Sequence, residues 1–484
     1  MPFLLLVAIS LLVRLPLWVN PDGLNSDHAV AALQGLHMLR GEFSWFLWGV
    51  GYQASLESLI IAGFFRLLGE NSYAVLATTY LAYLILLWAI HAILRRYLPT
   101  GKATLAALFV VIAAPPLLFG TFYPPRLWSL TEIFVGLYAA ERGRYGWAAF
   151  LAFASLYIDF FAIQFWPALL AFSATRAWLS TNRREALKHF IVGFALGAVV
   201  LGLSRKLGPQ GGTHLGIKFH YVGKNLRLIF EGLLPVLYAI PPWHAYQEIS
   251  VPSWFRDPVV LLIRTLAGAL PLAAVALSLR RMRDWDRDTK MWFGFGVVLC
   301  ATSFTGTMLS ADLHDIHASR YLTPLVWALP FLLLPTIKRE TLRDLAVFFA
   351  PYFTVALLTS QYFYGPAVRN VFVPVKSAFG QGTNEKELGA LLAREKVHYG
   401  YSNYWPSYRI TYLLRESLIV VPIEPIANRY EPYRQAVEKA DRYAVVFTEA
   451  EDEPYRAHEA KLKAEGKTYQ LFDVTGYQGF IVRR

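Results

Sequence analysis

The sequence has few charged residues and almost no cysteine. Charged residues make up 17% of its 484 positions and hydrophobic residues 55%, whereas about a quarter of an ordinary soluble domain is charged. The single cysteine, Cys300, excludes an intramolecular disulfide. The apolar stretch 3–19 lacks a basic leader and a small-residue cleavage site, which favours a retained first membrane span over a signal peptide. The composition therefore argues against a soluble globular protein.

Long apolar runs are the main feature of the sequence. A helix that crosses a bilayer needs about 17–25 mostly apolar residues. Eleven segments approach or reach this length, so the sequence predicts a polytopic α-helical membrane protein with about 11 transmembrane helices. The predicted spans are 3–19, 72–94, 103–121, 126–141, 146–158, 161–178, 188–204, 258–279, 290–309, 321–337 and 344–362.

Basic residues between the apolar runs predict the orientation. Clusters such as 95–96 and 280–290 fall in every second loop, and cytoplasmic loops carry an excess of Lys and Arg. The N-terminus is therefore predicted inside and the C-terminus outside. A further apolar stretch, 56–68, is interrupted by Glu57 and Arg66 and is predicted as a helix on or partly in the outer leaflet. Loop charges and contact with membrane lipid explain the net charge of +12 without nucleic acid as a partner.

The composition changes after Tyr364, where Lys, Glu and Asp become frequent. We predict a transmembrane catalytic domain at 1–362, with long outer loops at 20–71 and 205–257, and a soluble α/β domain at 363–484 on the outer side. Alternating strands and helices predict a largely parallel sheet there. The predicted helices are 384–396, 404–415, 430–439 and 450–465, and the predicted strands are 397–401, 417–422, 442–447, 468–473 and 477–482. Because no glycine-rich phosphate loop follows these strands, the sequence argues against a nucleotide site.

A polar motif in the first outer loop, Asn20 to His28, contains a candidate base. Ser26 is predicted to cap a short amphipathic helix along the outer membrane interface, with Asp27 in its first turn. The helix dipole favours an ionised carboxylate in that place. An ionised carboxylate at a lipid surface suits a general base for an acceptor hydroxyl. The alternative is that Asp27 only stabilises the start of the helix.

A second polar motif, Asp312 to Pro324, opens a late span. Arg320 and Tyr321 are placed at its outer mouth, where a guanidinium matches the oxygens of a lipid phosphate. The alternative for Arg320 is an interfacial side chain that extends to water. His314 and His317 flank Asp315 at a spacing short enough for a metal. A divalent metal is therefore left open, beside the alternative of a solvated polar loop.

Further ionisable residues are predicted at the same outer face. Arg126 begins a span, and Glu132 lies about two turns further on, where a carboxylate usually faces a cavity or a partner. These two residues could also pair with each other. Arg14 lies near the outer end of the first span and Asp159 in an outer hairpin turn. We expect all four to share one cavity with the two polar motifs. The long outer loop 205–257 adds Lys218, His220, Tyr221, Lys224, Trp243 and His244.

Three stretches resemble the GT-C superfamily of polyprenyl-phosphate-dependent glycosyltransferases. The resemblance is to the bacterial branch related to protein O-mannosyltransferases and lipid A aminoarabinose transferases. The stretches are the Arg14 span with Asn20-Pro21-Asp22 and Ser26-Asp27-His28, then Tyr123 to Glu132, and Arg320-Tyr321-Leu322-Thr323-Pro324. Many relatives have a second carboxylate where this chain has His28. The resemblance implies a GT-C-like fold in a bacterial inner membrane, with the C-terminal domain in the periplasm.

The resemblance also implies a function, which is inverting transfer of a sugar from a polyprenyl-phosphate carrier to an acceptor hydroxyl. The acceptor would be a glycan, a lipid or a protein. Asp27 would be the base, and a divalent metal is left open as the one candidate cofactor. The alternative is a transporter or flippase for a lipid-linked sugar, which would place ionisable groups at the membrane midplane. The predicted substrate-binding residues are His28, Arg14, Arg126, Glu132, Asp159, His314, His317, Arg320 and Tyr321.

Overall fold

The computed structural model describes residues 2–19, 21–112, 126–207, 218–241, 257–310, 313, 316–372, 382–449 and 451–484, without the side chains of 16, 207, 316, 317, 320 and 360–372. The described chain folds as two compact units. In its described parts, the first unit comprises Met1–Leu15, Thr79–Gly208 and Gly212–Tyr364, and the second comprises Pro16–Thr78 and Gly365–Arg484. The first outer loop thus belongs to the same unit as the C-terminal segment, which the sequence did not indicate.

The helices follow the apolar runs of the sequence. All eleven predicted spans are mainly helical in their described parts. The α-helices are α1 Pro2–Val13, α2 Leu15–Val19, α3 Ser26–Leu39, α4 Leu56–Leu68, α5 Ser72–Leu94, α6 Thr100–Val111, α7 Arg126–Glu141, α8 Tyr145–Ile158, α9 Trp166–Trp178, α10 Arg183–Leu207, α11 Val222–Leu228, α12 Leu234–Leu237, α13 Pro258–Leu279, α14 Arg287–Met308, α15 Pro324–Leu332, α16 Leu334–Arg339, α17 Leu342–Phe372, α18 Thr383–Arg394, α19 Tyr404–Leu413, α20 Glu431–Lys439 and α21 Asp452–Ala464.

Length and composition confirm the predicted class of polytopic helical membrane protein. Among the described residues, five helices are long and apolar enough to cross a membrane, namely α5, most of α10, α13, α14 and the first part of α17. Three shorter helices, α1, α6 and α8, are also apolar. The number of spans and the orientation stay predictions. The predicted helix at 56–68 is present as α4.

Glycine allows two helices of the first unit to approach closely. α8 and α10 pack along each other, and a Cβ atom built on Gly193 would lie 2.0 Å from the carbonyl oxygen of Gly146. A Cβ atom on Gly197 would lie 2.7 Å from the ring of Phe153. Small residues permit such close contact between membrane helices. The contact fixes α10 against α8, the helix that ends at the candidate site residue Asp159.

The second unit contains a five-stranded sheet of order β2-β1-β3-β5-β4. β1 is parallel to β2 and β3, but β5 is antiparallel to β3 and β4. The prediction of a largely parallel sheet is therefore corrected to a mixed sheet. β4 and β5 are joined by the two residues Thr475 and Gly476, and so short a connection joins only antiparallel strands. The strands are β1 Tyr399–Ser402, β2 Ile419–Pro422, β3 Arg442–Thr448, β4 Tyr469–Val474 and β5 Tyr477–Arg483.

The interior of the second unit contains α3. Nearly all of this helix from Ser26 to His37 is buried, and it packs against both α4 and α19. At Gly35 a Cβ atom would lie 2.9 Å from the carbonyl oxygen of Ser58 in α4. The sequence predicted an amphipathic helix along the membrane interface. α3 instead has Ala, Val and Leu on most of its faces, and a helix that is apolar all round is buried.

The apolar core of this unit combines residues from two parts of the chain that lie far apart in sequence. Val30 and Leu33 of α3 pack in one cluster with Tyr408 and Tyr412 of α19. Each of these side chains is 5% exposed or less. Burial of a large apolar side chain contributes about 1.5–3 kcal/mol. The first outer loop and the C-terminal segment therefore stabilise one another.

A histidine at the end of α3 joins several polar groups of this unit. His37 contacts Glu42 through Nδ1 and Glu416 through Nε2, each at 2.8 Å. Arg40 and Tyr433 also donate hydrogen bonds to Glu416, both at 2.5 Å. Burial opposes the charge on the imidazole, but hydrogen bonds to Glu416 and Glu42 outweigh it and raise the pKa of His37. Burial likewise opposes the charge on Glu416, but hydrogen bonds lower the pKa of this carboxyl to about 2.

Raising the pH is expected to destabilise the cluster around His37. The pKa of this imidazole is higher in the folded protein than its ordinary value of 6.5. The stabilisation is fully present below the unfolded value and is lost as the pH rises through the folded value. We expect the melting temperature of the purified protein to fall over this range by about 2–4 °C for each kcal/mol lost. Differential scanning fluorimetry as a function of pH measures the effect.

Two variants show whether the pH effect comes from this histidine. His37→Gln should lack the part of the pH dependence that wild type shows above the ordinary pKa of histidine. His398→Gln should keep it, because His398 is exposed and contacts a backbone carbonyl at 3.3 Å rather than an acid. If both variants keep the wild-type pH dependence, the ionised cluster around His37 does not stabilise the unit.

Candidate active site

The first turn of α3 is anchored to the C-terminal segment. The N-cap residue is Asn25, whose side chain accepts a hydrogen bond from the backbone N–H of His28 at 3.2 Å. The prediction that Ser26 caps this helix is therefore wrong. The Ser26 hydroxyl instead contacts the carbonyl oxygens of Tyr404 and Trp405 at 2.6 and 2.8 Å. These contacts tie the start of α3 to the start of α19.

Asp27 lies half-buried in this first turn. The hydroxyl of Tyr404 donates to Oδ1 of Asp27 at 2.5 Å, and Nε of Arg429 donates to the same hydroxyl at 3.2 Å. All three residues belong to the second unit. Sequence reasoning did not find Tyr404 or Arg429. They lie in a segment predicted as a separate soluble domain, and no local pattern links them to Asp27.

His28 is buried beside the candidate base. Its Nδ1 lies 2.7 Å from the side-chain oxygen of Asn25, and 5% of the residue is exposed. Burial lowers the pKa of His28 to about 4, although the charge of Asp27 acts in the opposite direction. The imidazole is therefore neutral at physiological pH and carries no positive charge towards a phosphate. Substrate contact by His28 stays a prediction.

In the first unit, three of the predicted site residues come together. Nε of Arg126, at the start of α7, lies 3.4 Å from Oδ2 of Asp159. The guanidinium carbon of Arg126 lies 4.2 Å from the ring centre of Phe161 and 5.4 Å from that of Tyr321. Asp159 is 1% exposed, and its Oδ1 accepts the backbone N–H of Phe161 at 2.9 Å. This buried carboxylate therefore orients an arginine between two aromatic rings.

Arg205 extends this cluster and was missed as a candidate. It lies in the last turn of α10, and its Nη2 donates to the carbonyl oxygen of Leu156 at 2.9 Å. Its guanidinium carbon is 5.5 Å from the ring centre of Phe160, and Asp159 acts on it electrostatically. The available signal was an arginine at the predicted outer end of a span, where the positive-inside bias disfavours it. Two arginines thus lie near Asp159.

Glu132 and Arg14 have different surroundings in the first unit. Arg126 pairs with Asp159, and Oε2 of Glu132 is buried without a hydrogen-bond partner among the described residues. The alternative that Arg126 pairs with Glu132 is therefore wrong. Arg14 lies at the break between α1 and α2, and its guanidinium carbon is 4.1 Å from the ring centre of Tyr83. It is 1% exposed.

Several predicted site residues lie outside the described part of the chain. These are Trp243, His244, His314 and Asp315, together with the side chains of His317 and Arg320. Within the described ranges, no group of three or more His, Cys, Asp or Glu residues is arranged to hold a metal ion. Metal dependence stays open. The shared cavity also stays a prediction, since Asp27 and His28 belong to the second unit and the other described site residues to the first.

Comparison with solved structures identifies the fold. No protein-family model and no characterised protein matches the sequence. The structure is similar to ArnT from Cupriavidus metallidurans bound to undecaprenyl phosphate, with a TM-score of 0.58 and 11% identity over 99% of this chain and 97% of ArnT. The chain has the ArnT fold. The apo state of that ArnT matches with a TM-score of 0.58 and 13% identity over the same shares.

The predicted fold class, a polytopic helical protein with a small C-terminal domain that contains strands, is confirmed as the ArnT fold. An oligosaccharyltransferase from Archaeoglobus fulgidus is also similar, with a TM-score of 0.49 and 12% identity over 99% of this chain and 74% of that one. The match to ArnT covers nearly the whole chain. The second unit is therefore part of the ArnT fold rather than an addition to it.

Proposed function

We propose that this protein transfers a sugar from a polyprenyl-phosphate carrier to an acceptor hydroxyl at the outer face of the membrane. The observation that supports the proposal is the ArnT fold, which covers 99% of the chain and occurs in a protein that binds undecaprenyl phosphate. A fold alone does not establish an activity. The proposal therefore also rests on the acidic and basic groups within each unit.

In the proposed reaction Asp27 is the general base. It lies in the first turn of α3, where the positive end of the helix dipole interacts favourably with a carboxylate. The Tyr404 hydroxyl donates a hydrogen bond to Oδ1 of Asp27. Among the described residues it is the hydrogen-bond donor to the Asp27 side chain. The acceptor hydroxyl gives its proton to Asp27 while its oxygen attacks the anomeric carbon. The bond from that carbon to the phosphate oxygen breaks, polyprenyl phosphate leaves, and the anomeric configuration inverts.

Arginines supply the positive charge that the leaving phosphate requires. Arg126 is held by Asp159 beside Tyr321, and Arg205 lies near the same carboxylate. A guanidinium presents two parallel N–H groups that match phosphate oxygens. Positive groups placed where negative charge develops lower the barrier to reaction. We propose Arg126 and Arg205 as phosphate-binding residues, with Arg320 and Arg14 predicted from the sequence alone.

No step of the proposed reaction passes through a metal. Phosphate is a good leaving group at neutral pH, so the reaction needs no general acid. Among the described residues, the side chain hydrogen-bonded to Asp27 is Tyr404 rather than a second carboxylate. Where a divalent ion binds, it would stabilise charge on the phosphate as the arginines do.

A transfer assay separates this function from a flippase. The purified protein is reconstituted in vesicles with undecaprenyl phosphate carrying a radiolabelled pentose or hexose, and lipid, polysaccharide and protein acceptors are added in turn. We expect the label to leave the carrier and appear on one acceptor class, as measured by thin-layer chromatography. Label that stays on the carrier but becomes accessible in the opposite leaflet would identify a flippase and overturn the proposal.

A further inference from the structure

The C-terminal segment contacts the candidate base directly through Tyr404 and Arg429. Resting on the proposed function, we propose that these two side chains are positioning residues for the transfer reaction. They hold the Asp27 carboxylate in one orientation, so that the soluble part of the chain supplies part of the active site. Neither residue has a role in the sequence-based hypothesis. Both lie in the segment that the sequence predicted to be a separate domain.

The direction of the hydrogen bonds is determined by their chemistry. The guanidinium of Arg429 remains protonated and can only donate. Its Nε lies 3.2 Å from the Tyr404 hydroxyl, which therefore accepts this bond. The hydroxyl then donates its own proton to Oδ1 of Asp27, at 2.5 Å. The hydrogen bonds therefore run from Arg429 through Tyr404 to Asp27, and the carboxylate oxygen is the final acceptor.

Arg429 is held in place by groups that carry no formal charge. Its backbone N–H donates to the hydroxyl of the buried Tyr408 at 2.5 Å, and its Nη1 lies 3.4 Å from the carbonyl oxygen of Gly49. Gly49 has φ +65°, and a Cβ atom there would lie 2.7 Å from Cα of Arg429. Only glycine therefore permits this approach of the first outer loop to the C-terminal segment. The guanidinium also lies 5.1 Å from the ring centre of Tyr404.

The consequence for catalysis is orientation of the base. A free carboxylate rotates about its terminal torsion, which has a broad energy profile. A hydrogen bond to Oδ1 restricts this rotation, so that Oδ2 is held in one position for the proton transfer. Misplacement of a reacting group by about 1 Å costs up to 10²-fold in rate. Loss of a single orienting hydrogen bond is therefore expected to lower kcat on the order of tenfold, with little change in the KM for the carrier lipid.

Tyr404→Phe tests this role, because it removes the hydroxyl and keeps the ring. We expect kcat to fall about tenfold with the KM for the polyprenyl-phosphate sugar unchanged. Tyr469→Phe is the matched control, since it removes another hydroxyl bonded to a carboxylate, Glu459 at 3.1 Å, from the same unit. This control should retain the wild-type kcat. Equal kcat in Tyr404→Phe and wild type, or an equal loss in both variants, would overturn the proposal.

A second pair of variants covers the case in which Tyr404→Phe does not fold. Arg429→Gln keeps a side-chain N–H donor for the Tyr404 hydroxyl, whereas Arg429→Met removes it. The orientation role predicts that Arg429→Gln retains more activity than Arg429→Met. Equal activity of the two variants would contradict it. Melting temperatures of both variants show whether any loss of activity reflects unfolding.

Combination with Asp27→Asn separates positioning from general stability. If Tyr404 acts through the carboxylate, the double variant Asp27→Asn/Tyr404→Phe should be no slower than Asp27→Asn alone, because residues of one catalytic unit are non-additive. A further tenfold loss in the double variant would mean that Tyr404 acts independently of Asp27. Wild-type activity of Asp27→Asn would instead refute the proposed base. An inactive Asp27→Asn with a fully active Tyr404→Phe would refute only the positioning role.

Discussion

Replacement of Asp27 by Asn is expected to lower the rate of sugar transfer about 10²–10⁴-fold. Asn has nearly the same shape, and its amide oxygen still accepts the hydrogen bond from the Tyr404 hydroxyl. What it loses is the capacity to take a proton from the acceptor. The variant should therefore fold normally and bind the carrier lipid while transfer is nearly abolished. The release of radiolabelled sugar from undecaprenyl phosphate measures this rate.

The Asp27 variant also separates the catalytic interpretation from the structural one. A carboxylate in the first turn of a helix contributes about 0.3–1 kcal/mol through the helix dipole, and this alone would not abolish transfer. Asp22→Asn is the matched control. Asp22 lies in the same loop, and its carboxylate accepts a hydrogen bond from Ser72 at 2.5 Å. If Asp27→Asn and Asp22→Asn both transfer sugar at the wild-type rate, Asp27 is a structural residue.

Arg409→Met is expected to destabilise the second unit by about 3–5 kcal/mol. Arg409 forms a salt bridge with Glu385, and both side chains are 0% exposed. Removing the guanidinium leaves a buried carboxylate whose remaining partner is Tyr477, at 2.6 Å. Arg409 also donates to the backbone oxygen of Asp22 at 2.8 Å, so the first outer loop loses a contact. Differential scanning fluorimetry should show a melting temperature lower by about 6–20 °C.

Two further variants test the origin of this destabilisation. Arg409→Met/Glu385→Gln removes both charges, and we expect it to regain much of the lost stability because no unpaired charge remains buried. Arg442→Met breaks a pair with Glu395 whose side chains are 27% and 35% exposed. Its cost should be at most about 1 kcal/mol. Similar melting temperatures for Arg409→Met and Arg442→Met would show that burial does not strengthen the pair.

Local patterns in the sequence predicted the helices and strands well. The long apolar runs became helices, and every predicted strand of the C-terminal segment has a counterpart. The surroundings of α3 were not predictable in this way. Its burial depends on α19, which lies far along the chain, and an apolar pattern does not show whether lipid or protein covers it. The alternation of strands and helices predicts parallel strands. It does not indicate that β4 and β5 are antiparallel, which follows from the two-residue turn that joins them.

The sequence predicts residues of the candidate site only where both the residue type and its position near the end of a predicted span indicate one. Arg126, Asp159 and Tyr321 are polar residues near predicted outer ends of spans, and they lie together in the first unit. For Arg126 the sequence offers Glu132 as an alternative partner, because helical spacing indicates only partners on the same helix. Tyr404 and Arg429 had no such signal. Tyrosine and arginine are common in soluble domains, and their contact with Asp27 depends on tertiary packing.

The contact between α3 and α19 also constrains how the protein is made. Asp27 precedes Tyr404 by 377 residues in the chain. At roughly 5–20 residues per second, a ribosome needs about 20–75 s to reach Tyr404 after it has added Asp27. During that interval α19 has not yet been synthesised and does not cover the apolar surface of α3, which includes Leu33. The surroundings of the proposed base are therefore incomplete until the ribosome has synthesised the segment that contains α19.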